Sequence, residues 1–286
     1  MEKPELLKLL DYAVATVKKA AAMALEPGME LNITAKSSRN DLVTDVDKAI
    51  EQFIANQLLE FSGYPVLGEE GHQVDSFEGR VWLVDPIDGT MNYIETKRDY
   101  AISLALCENG VPVLAVVQDV VADKTYTATL GGGAYCNDLP LGAVNSDIDY
   151  RQVVLLTDLK EIRALPRLAQ VLEESRGHRR YGSAALEMVE VAAGRAGGFI
   201  HLWVSPWDIA AATLICRESG CIVSRFDGTS MDVRQKGSAL AAWPTVHSGC
   251  YIGWCKLLPS GLAQPNARMK PGGKAADLSW ENRIEK

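Results

Sequence analysis

The residues best suited to chemistry form a short acidic turn directly after a predicted strand. The apolar run Val81-Trp82-Leu83-Val84 is followed by Asp85-Pro86-Ile87-Asp88-Gly89-Thr90. An aspartate at the end of a buried strand is costly unless a partner compensates its charge. The proline and the glycine favour a tight turn that directs both carboxylates to the same side. Two carboxylates, a carbonyl and a hydroxyl in one turn are the oxygen ligands that Mg²⁺ prefers.

Two further acidic segments have comparable positions. Glu69 and Glu70 follow a predicted strand, and Asp208 lies at the start of an alanine-rich predicted helix. These are the places where α/β folds put ligand sites. Taken singly, Glu69 and Glu70 could be exposed turn acids, and Asp208 could simply complement the helix dipole. Because the ligand types agree, the three segments together favour a shared Mg²⁺ site.

The elements that must position these segments are helices and strands in alternation. Apolar periodicity predicts helices over 6–24, 44–61, 160–175, 184–195 and 206–219. Strands are predicted over 64–67, 81–85, 152–157, 198–203, 221–225 and 238–243, with a β-rich stretch over 100–141. Asn109-Gly110 and Gly131-Gly132-Gly133 predict hairpin turns within that stretch. We expect one α/β body, with an α+β half at about 1–148 and an α/β half at about 149–248.

The composition is that of an acidic globular protein. The 286 residues include 29 Lys+Arg and 37 Asp+Glu, for a net charge of −8, and 47% are hydrophobic. That apolar fraction suffices for a sizeable core and excludes global disorder. The acidic balance argues against a nucleic-acid partner, which needs clustered positive charge. With no signal-peptide pattern and no run of about 18 apolar residues, we expect a soluble cytoplasmic protein without a membrane partner.

The order of these motifs resembles one known family. The acidic turn, with Glu69 before it and Trp207-Asp208 after it, is similar to the inositol monophosphatase family of Mg²⁺-dependent, lithium-sensitive phosphatases. Residues 36–47 resemble an early motif of that family, and Gly182-Ser183-Ala184-Ala185 resembles a later one. The resemblance covers about residues 5–248. It implies a layered αβαβα sandwich of the sugar-phosphatase type and a homodimer.

The resemblance also implies a ligand set for Mg²⁺. One ion would be held by Glu69, Asp85 and the backbone carbonyl of Ile87. A second ion would be held by Asp88 and Asp208, with Asp85 bridging the two. In two-metal hydrolysis such ions activate water and neutralise charge on the attacking and leaving oxygens. The cofactor implied is therefore Mg²⁺, as two or three ions.

Catalytic roles follow from the same resemblance. Thr90, paired with Asp47, would orient and help to deprotonate the attacking water. The amides of Gly89 and Thr90 would meet the phosphate, and Glu70 would reach a weaker third ion through water. Asp47 also stands three residues after Thr44, so it could instead cap a helix, or do both.

The positions expected to contact the substrate follow the family pattern less closely than the metal ligands do. Gly182, Ser183 and Ala184 would line the alcohol side of the pocket, and Lys36 would lie near the phosphate unless it is a solvated surface residue. Inositol-specific members have a Glu seven residues before the Trp-Asp aspartate, where it contacts hydroxyls. Here that position is His201, which could bind a different substrate or merely pack beside the strand.

Arg179 and Arg180 could serve a second phosphate or could be ordinary surface charges. Leu42-Val43-Thr44 favours the inositol branch of the family, whereas His201 weakens it.

The predicted function is therefore Mg²⁺-dependent hydrolysis of a small soluble phosphate monoester, such as inositol-1-phosphate, by metal-activated water. Fructose-1,6-bisphosphate, NADP and 3′-phosphoadenosine-5′-phosphate are alternative substrates. A regulatory binding protein of the same fold is the non-enzymatic alternative.

The C-terminal segment departs from the family pattern. Residues 249–286 contain Pro259, Pro265 and Pro271 and show no sustained apolar period. Two interpretations are open: a natural disordered tail, or a sequence foreign to the domain, such as a shifted reading frame. The second is favoured.

Overall fold

The computed structural model describes residues 3–26, 32–35 and 42–255. Within these ranges the helices are α1 (Lys3–Ala24), α2 (Asp45–Ser62), α3 (Leu159–Ala164), α4 (Pro166–Glu174), α5 (Ala184–Ala192), α6 (Pro206–Glu218) and α7 (Pro244–Cys255). The strands are β1 (Ile33–Ala35), β2 (Leu42–Thr44), β3 (Val66–Gly68), β4 (Arg80–Asp88), β5 (Ala101–Glu108), β6 (Val111–Asp119), β7 (Lys124–Thr129), β8 (Gly133–Cys136), β9 (Leu139–Pro140), β10 (Val154–Leu156), β11 (Gly177–Arg179), β12 (Gly198–Val204), β13 (Ile222–Ser224) and β14 (Gly237–Ala242).

The first large sheet has seven strands in the order β3-β4-β5-β6-β7-β8-β9. Strands β3 and β4 are parallel, and the later neighbours are antiparallel. Asn109 and Gly110 join β5 to β6, and Asn137 and Asp138 join β8 to β9, all with positive φ. Positive φ at both central residues is the type I′ pattern of tight hairpins. The predicted turn at Asn109-Gly110 is confirmed, and Gly131 and Gly132 lie in the connection from β7 to β8, which Gly133 begins.

The second large sheet is mixed, with five strands in the order β11-β10-β12-β14-β13. Strand β10 is parallel to β11 and to β12, and β14 is antiparallel to β12 and β13. Parallel neighbours require crossover connections. Helices α3 and α4 supply the crossover from β10 to β11, and α5 leads into β12.

The helices and the two sheets form five layers. Helices α1 and α2 pack on the outer face of the seven-stranded sheet, and α6 packs on its inner face against β5, β6 and β7. Helices α5 and α6 contact each other and also reach the five-stranded sheet, whose other side carries α3, α4 and α7. One apolar cluster fills the space around α5 and α6, and a second lies beneath α1 and α2. The expected αβαβα sandwich is confirmed.

Several boundaries differ from the predictions for physical reasons. Strand β4 continues to Asp88 instead of ending at Asp85, because a register shift lets the acidic turn remain paired with β5. The predicted helix 160–175 is two helices, since Pro166 cannot extend the helix before it and instead starts α4. Strand β11 was not predicted, because Gly177–Arg179 has no apolar pattern.

The C-terminal boundary also differs. Helix α7 runs through the predicted boundary at residue 248 to Cys255, and Cys250 is buried. The remainder of the predicted tail, 256–286, lies outside the described residues. No helix in the described part of the chain has the length and apolar character to cross a membrane.

Candidate active site

The acidic turn at the end of β4 is the centre of the site. Asp85, Ile87 and Asp88 are all buried, with 2%, 1% and 8% of their surface exposed. The Ile87 amide donates to Asp85 Oδ1 at 3.1 Å, which fixes the first carboxylate against its own turn. A β-bulge lies between Asp85 and Asp88. Bulges re-aim side chains near functional sites.

Asp88 is held by the N-terminus of α5. The Ser183 hydroxyl and the Ala185 amide donate to Asp88 Oδ2, each at 2.6 Å, and the Ala184 amide donates to Oδ1 at 3.2 Å. A helix N-terminus favours negative charge, because its amides are unpaired and its dipole is positive there. Ser183 and Ala184, predicted on the alcohol side of the pocket, therefore contact the predicted metal ligand directly.

The Glu69-Glu70 turn is fastened to helix α2 by a residue that the sequence reading missed. The buried Glu51 accepts from the amides of Glu70 and His72, at 2.6 and 3.1 Å, and its Oε1 lies 2.8 Å from His72 Nδ1. The Glu69 amide donates to the Val84 carbonyl at 3.3 Å, which ties the turn to β4. In the sequence Glu51 resembles any surface acid of an amphipathic helix, and nothing local marks it as buried.

Asp208 approaches from the other half of the molecule. It is in the first turn of α6 and its Oδ2 accepts from the Ser205 amide at 2.7 Å, so it caps its own helix as well as facing the site. Lys236, a second residue that the sequence reading missed, lies with Nζ 5.6 Å from the centroid of the Trp207 ring. Its charge partly offsets the effects that raise the pKa of Asp208.

Like charge is concentrated at this point. Burial raises the pKa of Asp85 well above its usual value, and the charges of Glu69, Asp88 and Asp208 raise it further. Burial likewise raises the pKa of Asp88 to about 6 and the pKa of Asp208. Carboxylates that raise each other's pKa in this way need a cation to remain ionised.

The donor set fits a hard divalent cation such as Mg²⁺. All the candidate donors are oxygens, namely carboxylates and the Ile87 carbonyl, and Mg²⁺ prefers such ligands while keeping several waters. Among the described residues, no group of three or more His, Cys, Asp or Glu side chains is arranged as a ready-made cation cage. The residues therefore fit Mg²⁺ for two reasons: their donors are oxygens, and their negative charges repel one another unless a cation neutralises them.

A hydroxyl–carboxylate pair adjoins the acidic turn. Thr90 Oγ1 lies 3.1 Å from Asp47 Oδ1 and 3.1 Å from the Ile87 carbonyl oxygen. Asp47 Oδ2 accepts from the Thr44 amide at 2.9 Å and closes the capping box of α2. Both readings of Asp47 thus have a geometric counterpart, because one oxygen caps the helix while the other faces Thr90. Burial raises the pKa of Asp47.

The glycines of the site allow two loops to approach closely. Gly89 has φ +97°, and a Cβ there would lie 3.2 Å from the Gly182 carbonyl oxygen. Gly182 itself has φ +87°. Glu187 Oε1 accepts from the amides of Tyr181 and Gly182 at 2.6 and 2.9 Å, and burial raises its pKa to about 7. Glu187 was not predicted, since its position on α5 resembles any helix-surface acid.

An open cavity of about 150 Å³ adjoins the acidic cluster. It is lined by Asp88, Asp158, Arg180, Gly182, Ser183, Ala184, Glu187, His201, Trp203, Val204 and Asp208. His201 therefore faces the cavity instead of merely packing beside the strand. Arg180 also lines it and pairs with Asp158 at 2.9 Å, whereas Arg179 is exposed on β11. Lys36 lies outside the described residues.

The fold and the site agree on a class of enzyme. Clustered buried carboxylates attract the divalent cations that phosphate chemistry uses. On an αβαβα sandwich such a cluster is typical of a phosphoric monoester hydrolase.

Comparisons with known proteins identify the family within that class. The model of the inositol monophosphatase family matches residues 5–253. The inositol-1-monophosphatase of Bacillus subtilis (strain 168) is 39% identical over 245 residues, which are 83% of this chain and 92% of the relative. The chain therefore belongs to the inositol monophosphatase family.

Two other relatives differ in what they are named for. The Nus factor SuhB of Vibrio cholerae is 34% identical over 249 residues, which are 82% of this chain and 91% of that protein. A solved IMPase/NADP phosphatase in complex with Mg²⁺ and phosphate is 26% identical with a TM-score of 0.79, covering 87% of this chain and 95% of its own.

Proposed function

We propose that this phosphatase is Mg²⁺-dependent and hydrolyses a small phosphate monoester, with inositol-1-phosphate as the first candidate substrate. The observation that carries the proposal is the buried cluster around Asp85, whose pKa is raised by burial and by Glu69, Asp88 and Asp208. Such a cluster is destabilising on its own, because like charges buried close together repel each other. A cation that neutralises it explains why the carboxylates converge.

The residues proposed to hold Mg²⁺ are Glu69, Asp85, Asp88, Asp208 and the Ile87 carbonyl, for two ions, with Glu70 close to a third. Bound Mg²⁺ would supply positive charge for the phosphate and the means to ionise water near neutral pH. The Asp88–α5 contact keeps one carboxylate in a fixed direction, and Ser205 does the same for Asp208.

Thr90 and Asp47 are proposed to handle the proton of the attacking water. Asp47 and the Ile87 carbonyl lie equally far from the Thr90 hydroxyl, at 3.1 Å. With its hydrogen directed at Asp47, Thr90 would accept the proton of the water on its oxygen while Asp47 takes the hydroxyl proton. The raised pKa of Asp47 makes it a stronger base than an exposed aspartate. The amides of Gly89 and Thr90 are proposed to bind the phosphate oxygens.

The names of two relatives of this chain support two candidate esters. Resemblance to an inositol-1-monophosphatase supports inositol-1-phosphate, and resemblance to an IMPase/NADP phosphatase supports NADP. Fructose-1,6-bisphosphate and 3′-phosphoadenosine-5′-phosphate complete the panel. Family membership also supports inhibition by Li⁺, a homodimer and a cytoplasmic location.

The test is phosphate release from this panel with and without Mg²⁺, and with added Li⁺. Asp85→Asn is the variant of choice, because the hydrogen bond that Asp85 accepts from Ile87 lies within its own turn, whereas Asp88→Asn would also disturb the N-terminus of α5. We expect Mg²⁺-dependent turnover that Asp85→Asn reduces at least a hundredfold. The matched control is Asp11→Asn on the exposed face of α1. Turnover that needs no divalent ion, or that survives in Asp85→Asn, would refute the proposal.

A regulatory role is the second candidate, and the observation that favours it is the resemblance to Nus factor SuhB. A purely regulatory role predicts a protein that folds and binds Mg²⁺ yet releases no phosphate from any ester of the panel. Turnover of one ester at an ordinary enzymatic rate, about 1 s⁻¹ or more, would contradict a purely regulatory role.

A further inference from the structure

Two free cysteines lie next to each other where helix α6 ends. The amide of Gly220, which has φ +90°, donates to the Arg217 carbonyl at 3.1 Å. The amide of Cys221 donates to the Cys216 carbonyl at 2.9 Å. These two hydrogen bonds form a Schellman motif, in which the side chains at the positions of Cys216 and Cys221 frequently make an apolar contact. Here thiols occupy both positions.

The thiols of this cysteine pair face the same neighbour, helix α5. Cys216 Sγ donates to the Met188 carbonyl at 3.2 Å, and Cys221 Sγ lies 3.9 Å from the Val191 carbonyl oxygen. Residues three apart on a helix lie on the same face, so both sulfurs lie against one face of α5. The contact with Cys221 and burial raise the pKa of the Cys216 thiol well above its usual value, whereas the contact with Cys216 lowers the pKa of Cys221. The two thiols are therefore neighbours, and both are free.

The two cysteines differ in their access to solvent. Cys216 is fully buried, whereas Cys221 is 6% exposed. The thiolate is the reactive form of cysteine, so a lowered pKa and slight exposure both favour reaction at Cys221. A second thiol beside a reactive cysteine converts the first oxidation product into a disulfide. Cys221 thus has the properties of an attacking thiol, and Cys216 has those of a resolving thiol.

We propose that Cys216 and Cys221 form a reversible disulfide when the protein meets a hydroperoxide, and that this bond protects Cys221 from irreversible oxidation. In the first step the Cys221 sulfur attacks one oxygen of hydrogen peroxide, the O–O bond breaks, and a sulfenic acid and one water are formed. In the second step the Cys216 sulfur attacks the sulfenic sulfur, the S–O bond breaks, and a second water leaves with the Cys216 proton. Two thiols are oxidised to one disulfide, and one hydrogen peroxide is reduced to two waters.

The backbone at the end of α6 suits such a bond. A disulfide requires Cα atoms about 4.4–6.8 Å apart, and the hydrogen bond from the Cys221 amide to the Cys216 carbonyl already holds the two residues together across one closed turn. Asp208 is in the first turn of the same helix, and at 1.5 Å per residue it lies about 12 Å along the axis from Cys216. The bond should therefore form without displacing the candidate active site.

Tryptic mapping detects the bond directly. Trypsin cleaves after Arg217, between the two cysteines, and the resulting peptides 196–217 and 218–225 each contain one cysteine. The folded protein is treated with hydrogen peroxide, and the remaining thiols are alkylated before digestion. We expect the two peptides to be joined, with a mass lower than their sum by two hydrogen atoms, and to separate after reduction with dithiothreitol. Separate peptides at a peroxide dose that oxidises the partly exposed Cys136 would overturn the proposal.

Single substitutions test the two roles within the pair. In Cys216→Ser the resolving thiol is gone, so we expect Cys221 to proceed to sulfinic acid, a gain of two oxygen atoms that dithiothreitol does not reverse. In Cys221→Ser, the fully buried Cys216 should stay reduced. The control Cys136→Ser should form the cross-link as the unsubstituted protein does. A Cys221 that stays reduced in Cys216→Ser, at the dose that cross-links the unsubstituted protein, would overturn the protective role.

Unfolding by urea shows whether the bond suits the native fold. The cross-linked protein should unfold at a higher urea concentration than the reduced protein, because the bond restricts the unfolded chain. Peroxide-treated Cys216→Ser should show no such increase. A lower midpoint for the cross-linked protein would show that the bond strains α6 and would refute protection. Neither Mg²⁺ nor a phosphate ester takes part, so a failure of the proposed function would leave these outcomes unchanged.

Discussion

Glu51 Oε2 lies 2.6 Å from the amide nitrogen of Glu70, so a buried acid of α2 holds the turn that presents Glu69 and Glu70 to the site. Its other oxygen accepts from the His72 amide at 3.1 Å. The Glu69-Glu70 turn is thus positioned by a third carboxylate, which binds the turn through its backbone amides.

We expect Glu51→Gln to weaken Mg²⁺ binding about tenfold, the usual effect of removing a residue that orients a ligand. A Gln side chain has one acceptor oxygen, so one of the two turn amides loses its partner. The measurement is the Mg²⁺ dependence of phosphate release, with Glu60→Gln on the exposed face of the same helix as the control. An unchanged Mg²⁺ requirement would show that the turn keeps its position without Glu51.

Gly68→Ala should be destabilising, and Gly71→Ala should be neutral. A Cβ at Gly68 would lie 2.3 Å from Glu51 Cδ, whereas nothing lies within 4 Å of a Cβ at Gly71. Forcing Glu51 aside in a packed site is expected to cost about 1–3 kcal/mol of unfolding free energy. Urea unfolding of the two variants checks this, and equal stabilities would contradict the close approach.

Thr90→Val should lower kcat by about 10²–10³ and leave KM nearly unchanged, because it removes the hydroxyl that faces Asp47. Thr90→Ser keeps the hydroxyl and should retain most of the activity. Steady-state kinetics on the best ester of the panel provide the measurement. Loss of activity in Thr90→Ser equal to that in Thr90→Val would point to packing instead of proton handling.

The capping role of Asp47 can be separated from its role toward Thr90. Thr44→Ala breaks the capping box of α2 but leaves the Thr90–Asp47 contact, so it should cost about 1 kcal/mol of stability while kcat is preserved. Asp47→Asn should lose both stability and kcat. Thermal unfolding and steady-state kinetics, measured on both variants, distinguish the two roles. If Thr44→Ala lowers kcat as much as Asp47→Asn does, the capping role and the role toward Thr90 are not separable.

Glu187 predicts a pH dependence of stability. Burial raises its pKa to about 7 in the folded state, against about 4.3 in an unfolded chain. The folded state therefore binds more protons, and the contribution of this group is complete below about pH 4 and is lost as the pH rises through 7.

In Glu187→Gln the oxygen that accepts from Tyr181 and Gly182 is kept but ionisation is removed. The stability of this variant relative to the unsubstituted protein should therefore increase by about 1–3 kcal/mol between pH 5 and pH 8. Urea unfolding at both pH values is the measurement. A difference that does not change with pH would mean that Glu187 titrates normally in the folded protein.

Local signals in the sequence predicted much of the fold. The capping pair Thr44 and Asp47 marked the start of α2, and Asn109-Gly110 marked a hairpin, because these structures are determined by residues next to each other in the chain. The acidic turn after Val84 was recognisable for the same reason. The roles assigned to its carboxylates remain predictions.

The supporting residues could not be predicted in this way. Glu51, Glu161 and Glu187 each look like one acid of a solvated helix face, and their burial depends on what the fold packs against them. Asn92 is similar: its side chain donates to the carbonyls of Asp99 and Tyr181, at 2.7 and 2.6 Å, and joins two loops that are far apart in sequence. Contacts between residues that are far apart in the chain leave no periodic pattern in the sequence.

The cluster around Asp85 has a mechanical consequence. Asp85 and Asp88 lie at the end of a strand of the seven-stranded sheet. Asp208, in the first turn of α6, and Ser183, the N-cap of α5, belong to the helices between the sheets and come from the other half of the chain. An ion shared by Asp85 and Asp208 would therefore cross-link the two halves of the chain. The halves of the Mg²⁺-loaded protein would then unfold together, and removal of the ion would weaken the contact between them beside the cavity.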